Sequence, residues 1–143
     1  MDVEIKIVEQ ASVELAHGLT RLLPQLLGKE HVVNVDTLNI VLSQPGVKLF
    51  VALLGNEVVG TAQLSVIDRL YAPIAWVDGV VVDENQRGKG IAGKLMQGLL
   101  DAARELGLHE VCLTSNPKRE AANHLYTKLG FELYETNYYR YKF

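Results

Sequence analysis

The sequence predicts an α/β fold of the α+β kind: one mixed, mostly antiparallel sheet of about six or seven strands flanked by about four helices. Three observations predict it. Alternating or β-branched stretches recur at residues 3–8, 48–54, 57–67 and 74–82, bounded by turn residues. Two long stretches instead carry apolar residues at helical spacing, after Ser12 and after Gly90. The second of these lies between two strand-like runs, and strand–helix–strand makes a parallel crossover.

Each element has its own signal. Val3, Ile5 and Ile7 alternate with Glu4 and Lys6, a half-buried first strand. Ser12 is placed to cap a helix whose apolar side carries Val13, Leu15, Ala16, Leu19, Leu22 and Leu23. Pro24 is expected to end or kink it. Residues 28–35 read as loop, and Asp36 as the cap of a short helix to about Leu42, closed by Gln44-Pro45-Gly46. Strands 48–54 and 57–67 flank Gly55-Asn56, a hairpin signal. Strand 74–82 follows antiparallel, with Gly79 inside it as a bulge or a packing glycine. A helix to Leu106 stops at Gly107, and residues 110–115 form the next strand. Asn116 with Pro117 is expected to open a helix ending at Gly130, against which Phe131 packs. Residues 132–135 and 137–143 read as a closing pair of strands, with Tyr139, Tyr141 and Phe143 on one face and Tyr138, Arg140 and Lys142 on the other.

Composition bounds the function. A chain of 143 residues is expected to be one domain, residues 1–143. Its net charge of −3 supplies no basic field for nucleic acid or an anionic membrane, and neither partner is expected. Cys112, the single cysteine, has no intrachain partner. With no apolar leader and no bilayer-length run, a cytoplasmic location is expected. His17, His31, His109 and His124 lack metal-ligand spacing, so no metal is expected; His31 lies nearest the region where an acceptor would bind.

The stretch from Val80 to Leu95 organises the rest. Val80, Val81 and Val82 end in a polar loop, Gly88 and Gly90 flank Lys89, and a helix then opens with Ile91 and Ala92. The first N–H groups of a helix have no partner within it, and the dipole there favours negative charge. Glycine lets an anion come close, and Arg87 and Lys89 add positive charge at the rim. The physical reading is a pyrophosphate cradle.

The same residues carry a resemblance. Arg87-Gly88-Lys89-Gly90-Ile91-Ala92 resembles R-x-x-G-x-G/A, the acetyl-CoA signature of the GCN5-related N-acetyltransferases, the GNAT family. The segment from Arg119 through Asn123, Tyr126 and Lys128 to Gly130-Phe131 is similar to that family's second hallmark. The resemblance implies a GNAT-like domain, with a splay between the strand ending at Val82 and the strand ending at Ser115. It implies that the backbone edge of Val80, Val81 and Val82 meets the pantetheine arm, with an N–H near Val80 facing the carbonyl oxygen. It assigns Tyr126 to protonating the departing thiolate, a task a phenol of pKa about 10 suits at neutral pH. Asn123 would hold the cofactor arm, with Asn116 and Arg119 counted in the same binding set. Asp78 stands where many relatives carry a glutamate. Burial in an apolar strand would raise its pKa toward that of a base acting through water; the other reading is an anchor for the substrate ammonium. Asp68 and Glu84 are weaker acids of that kind, and Cys112 reads as inert packing.

Gly88-Lys89-Gly90-Ile91-Ala92-Gly93 also fits the G-x-G-x-x-G dinucleotide pattern, with Glu110 about 20 residues on. Several polar residues separate the strand from the first glycine, and Glu110 opens rather than closes the next strand, which disfavours it. No Ser or Thr follows Lys89, so a Walker A loop fails. The expected function is transfer of an acetyl group from acetyl-CoA to a primary amine, of a small molecule, by direct attack in a ternary complex. A non-catalytic acyl-CoA sensor and an acetyltransferase of protein N-termini or lysines are the alternatives. A homodimer through the aromatic C-terminal strands is also envisaged.

Overall fold

The computed structural model describes residues 2–143. Its elements run β1 (Val3–Ile7), α1 (Val13–Leu27), α2 (Val35–Ser43), β2 (Val47–Leu54), β3 (Glu57–Ile67), β4 (Ile74–Val82), a short 3-10 turn (Glu84–Gln86), α3 (Ile91–Glu105), β5 (Val111–Cys112) and α4 (Glu120–Leu129). The strands form one sheet in the order β1-β2-β3-β4-β5; the first three pairings are antiparallel, and β4 with β5 is parallel.

Alternation along β2 explains why both faces are covered. Phe50 and Ala52 join a core with Leu95, Met96 and Leu99 of α3, whereas Leu49 and Val51 join one with Leu15, Leu19 and Leu22 of α1. Successive strand side chains point to opposite faces, so one strand feeds both layers.

Several expectations about ends are corrected. Pro24 does not end α1, which continues to Leu27 and closes where Gly28 N–H bonds Pro24 O. A proline removes one hydrogen bond, and the packed Leu22 face beneath it outweighs that loss. The second helix is capped by Asn34, whose side chain accepts from Thr37 N at 2.8 Å, rather than by Asp36. Asn116 and Pro117 lie outside α4: the Asn116 side chain accepts from Lys118 N in a turn, and α4 begins after Arg119.

The sheet has five strands rather than six or seven. The expected strand 110–115 is reduced to Val111–Cys112, and the expected closing pair is absent: among the described residues, 132–143 take no part in the sheet. An alternating pattern states what a strand would look like, and only pairing with a neighbour turns it into one. The expected splay is present. β4 and β5 pair only at Ala75–Val111 and Trp76–Cys112, so Val77–Val82 run on without a neighbour on that side.

Candidate active site

Asp78, Val80, Arg119 and Tyr126 of the predicted residues line the gap left by that divergence. Gly79 sits in β4 with φ +65°, and β3 shifts register against β4 between Thr61 and Gln63. Two residues of β4, Gly79 and Val80, oppose Ala62 alone, which is a bulge. A Cβ at Gly79 would meet nothing within 4 Å, so its backbone angle rather than crowding demands glycine.

Beyond Val82 the chain is fixed by a buried acid that sequence reasoning missed. Asp83 is 3% exposed. Its Oδ2 accepts from Arg21 Nη1 of α1 at 2.5 Å, and its Oδ1 accepts from Asn85 N at 3.1 Å. Arg21 Nη2 also donates to Val58 O at 2.6 Å, and Glu84 N donates to Gln25 Oε1 of α1 at 2.8 Å. The Arg21 hydrogen bond holds the Asp83 carboxyl below the usual carboxylate range, against a desolvation that pushes it up. Helix α1 is thereby tied to the turn that leads into the glycine loop. The one hint in the sequence was an arginine among the leucines of α1; its partner 62 positions away could not be read from it.

Gly88 (φ +77°) and Gly90 (φ +78°) both take left-handed backbone, and Gly90 stands at the start of α3. The first bond of that helix runs from Lys94 N to Gly90 O. The N–H groups of Ile91, Ala92 and Gly93 therefore have no helical acceptor. Ile91, Ala92 and Gly93 line a cleft of about 900 Å³, a volume in the range of small-molecule and cofactor sites. Arg87 lies on the same cleft, its Nε anchored on Val82 O at 3.1 Å.

A second chamber of about 170 Å³ opens between the diverging strands, lined by Asp78 and Gly79 on one side and Leu113 and Thr114 on the other. Leu26, Val80, Arg119 and Tyr126 line both spaces. Tyr126 is 6% exposed, deeper than the edge position its helical spacing suggested. Burial raises its pKa above the usual phenol value, and the Arg119 charge works in the opposite sense. Its ring meets Phe131 edge-on at 5.8 Å, while Phe131 N bonds Tyr126 O and closes α4.

Of the residues singled out from sequence, Val80, Val81, Val82, Arg87, Gly88, Gly90, Ile91, Ala92, Arg119 and Tyr126 line the large cleft. Lys89, Asn116 and Asn123 do not. Lys89 Nζ donates to Gln86 Oε1 at 2.8 Å, and Asn123 Nδ2 donates to Asn116 O at 2.9 Å, so both side chains hold loops in place. Asp78 lines the smaller chamber but is exposed, and the burial on which its basicity depended is absent. His31, Asp68 and Glu84 are exposed and line neither space. The Cys112 thiol is pushed up to about 11 by burial and by the adjacent Glu110, far from a reactive thiolate at neutral pH. Among the described residues, no three His, Cys, Asp or Glu gather as a metal set.

The model of the acetyltransferase (GNAT) family matches residues 18–131, most of the chain and both the loop and α4. The chain belongs to the GNAT family of acetyltransferases. It is 32% identical over 130 residues to the uncharacterized N-acetyltransferase YjgM of Escherichia coli (strain K12), covering 89% of this chain and 73% of that protein. It is 28% identical over 144 residues to a glucosamine 6-phosphate N-acetyltransferase of Trypanosoma brucei brucei, covering 94% and 92% of the two chains. An aminoglycoside acetyltransferase from an uncultured soil metagenomic sample shares the fold, with a TM-score of 0.83 at 24% identity over 98% of this chain and 97% of that one. So does the Arabidopsis thaliana glucosamine-6-phosphate N-acetyltransferase, with a TM-score of 0.82 at 18% identity over 99% of each chain. GNAT enzymes use acetyl-CoA as co-substrate, and the large cleft meets α3 at Ile91 and Ala92, its first turn.

Proposed function

We propose that this GNAT chain transfers an acetyl group from acetyl-CoA to a primary amine of a small molecule, by direct attack in a ternary complex. One observation carries the reading: a long cleft at the mouth of α3 and a small chamber between β4 and β5 meet at Tyr126. A co-substrate lying in the cleft, with its diphosphate on the N–H groups of Ile91 and Ala92, would bring its acyl end to that junction. A small amine would wait in the 170 Å³ chamber, whose size favours it over a folded protein surface.

Each group then has a task. The main chain beside the bulge, at Val80, supplies the N–H for the carbonyl oxygen as it gains charge. The amine nitrogen forms a bond to the acetyl carbon and the carbon–sulfur bond breaks. Tyr126, kept protonated by burial, gives its O–H proton to the sulfur. The ammonium form, attracted by exposed Asp78 as it arrives, loses one proton to water before attack; the proton the nitrogen sheds as the amide forms returns through water to Tyr126 and restores its phenol. Positioning supplies most of the acceleration, because a thioester is already activated. Arg87 and Arg119 complement the phosphates, and no metal takes part. A cytoplasmic location accompanies this reading; no helix among the described residues is long and apolar enough to cross a membrane.

Thiol release from acetyl-CoA across a panel of amines tests the proposal. It is expected to reveal at least one small amine turned over with saturation. Tyr126→Phe should lower kcat about 10- to 100-fold with little change in KM for acetyl-CoA. Tight coenzyme A binding without turnover of any amine would favour the sensor reading, and no coenzyme A binding in titration calorimetry would remove both.

A further inference from the structure

Four residues border both the large cleft and the small chamber: Leu26, Val80, Arg119 and Tyr126. Three of them have a part in the chemistry: Val80 through its main chain, Arg119 through its charge and Tyr126 through its proton. Leu26 has none, yet α1 carries this apolar side chain to the same junction. It comes from the opposite layer of the fold. Tyr126 belongs to the core shared with α3, whereas Leu26 packs against the core built on α1. Both reach the gap where β4 and β5 part beyond the Trp76–Cys112 pair.

Leu26 is held in place. It is half-buried on the last turn of α1, which runs on past Pro24 and closes with Gly28 N–H on Pro24 O at 2.9 Å. Its neighbour Gln25 accepts from Glu84 N at 2.8 Å, and Arg21 of the same helix holds Asp83. The end of α1 is thus tied twice to the turn that follows β4, the strand carrying Val80. A side chain fixed by packing is a wall, and a change of one methylene against it is felt. We propose, resting on the acetyl-transfer reading of this cleft, that Leu26 sets the length of the acyl group the site accepts. Acetyl fits between Leu26 and Tyr126, and longer chains are refused. Extra methylenes have two ways to turn. Toward the chamber they cover Asp78 and Thr114, cut those polar groups off from water and take the place of the amine. Away from it they run into Leu26.

Titration calorimetry on the full chain tests this without an acceptor. Coenzyme A, acetyl-CoA and butyryl-CoA are compared on the parent, Leu26→Ala and Leu26→Phe. A hydrophobic pocket separates ligands one methylene apart by about 10- to 200-fold, so the parent should bind butyryl-CoA at least about 10-fold more weakly than acetyl-CoA. Leu26→Ala should bring the two within about 3-fold of each other, because the wall is gone. Leu26→Phe should weaken acetyl-CoA at least about 5-fold by overfilling the junction. Coenzyme A carries no acyl group, so its affinity should hold in both variants and reports an intact cleft. Should Leu26→Ala lose coenzyme A through misfolding, Leu26→Val removes less and carries the same comparison. Equal binding of acetyl-CoA and butyryl-CoA by the parent, or a ratio that no substitution moves, would overturn the role of Leu26 and leave acetyl transfer standing. A parent that binds no coenzyme A would remove both.

Discussion

Arg21→Met isolates the contact that ties α1 to the turn before the glycine loop. The change keeps an apolar stem and removes the guanidinium bonded to Asp83 Oδ2 at 2.5 Å and Val58 O at 2.6 Å. Asp83, with 5% of its side chain accessible, is then left with the Asn85 N–H as its short contact. Removing one partner of a fully buried ion pair costs about 3–5 kcal/mol. The Arg21 side chain is 41% accessible, so water screens the pair and the cost falls to about 2–3 kcal/mol. Its other contact, with Glu57 at 3.2 Å, joins two solvent-exposed groups and adds under about 0.5 kcal/mol. For this chain length, urea denaturation should give a lower midpoint at unchanged slope, with Tm down by roughly 6–12 °C. Asp83→Asn should cost less, about 1–2 kcal/mol, because the amide oxygen still accepts from Asn85 and no buried charge is stranded. The double variant should lose less than the sum of the two. The pH dependence follows from the lowered Asp83 pKa. Between the folded and unfolded values the unfolded chain binds more protons, so the stabilisation is present above about pH 4 and is lost as pH falls through the folded value. Arg21→Met should flatten that acid limb. A loss below about 0.5 kcal/mol, or pH profiles that run parallel, would refute the account of Asp83 as a buried, paired carboxylate.

Three further outcomes follow from the same geometry. Gly90→Ala places a Cβ at φ +78°, where nothing crowds it, so its cost of about 1–2 kcal/mol is backbone strain alone; calorimetry should find coenzyme A affinity reduced several-fold. Asp78→Asn should raise KM for a cationic acceptor about 5- to 10-fold and leave KM for acetyl-CoA unchanged, the signature of an ammonium anchor; a fall in kcat with the loss of a pH limb would instead identify a base. Leu99, fully buried between α3 and the sheet, should cost about 2–5 kcal/mol when cut to alanine, measured by urea denaturation.

By itself the sequence determined whatever depends on neighbours along the chain. Alternation placed β1, and β-rich runs bounded by turn residues placed β2, β3 and β4; the Ile91, Leu95 and Leu99 spacing placed α3; Gly79, Gly88 and Gly90 marked backbone that other residues resist. These signals are local, and a period of two or of 3.6 residues is written into consecutive side chains. The family motifs pointed to Tyr126 on the same footing. Only the tertiary structure decided matters that depend on what lies across a gap. It carried α1 through Pro24, since packing beneath Leu22 outweighs one missing hydrogen bond. It left Asp78 open to water and buried Asp83 against Arg21, although one lies inside and the other at the end of the same apolar run. It left residues 132–143 outside the sheet, because an alternating sequence describes a strand's two faces and not the neighbour it pairs with. Burial and pairing are properties of two surfaces at once, and a single strip of sequence describes only one of them.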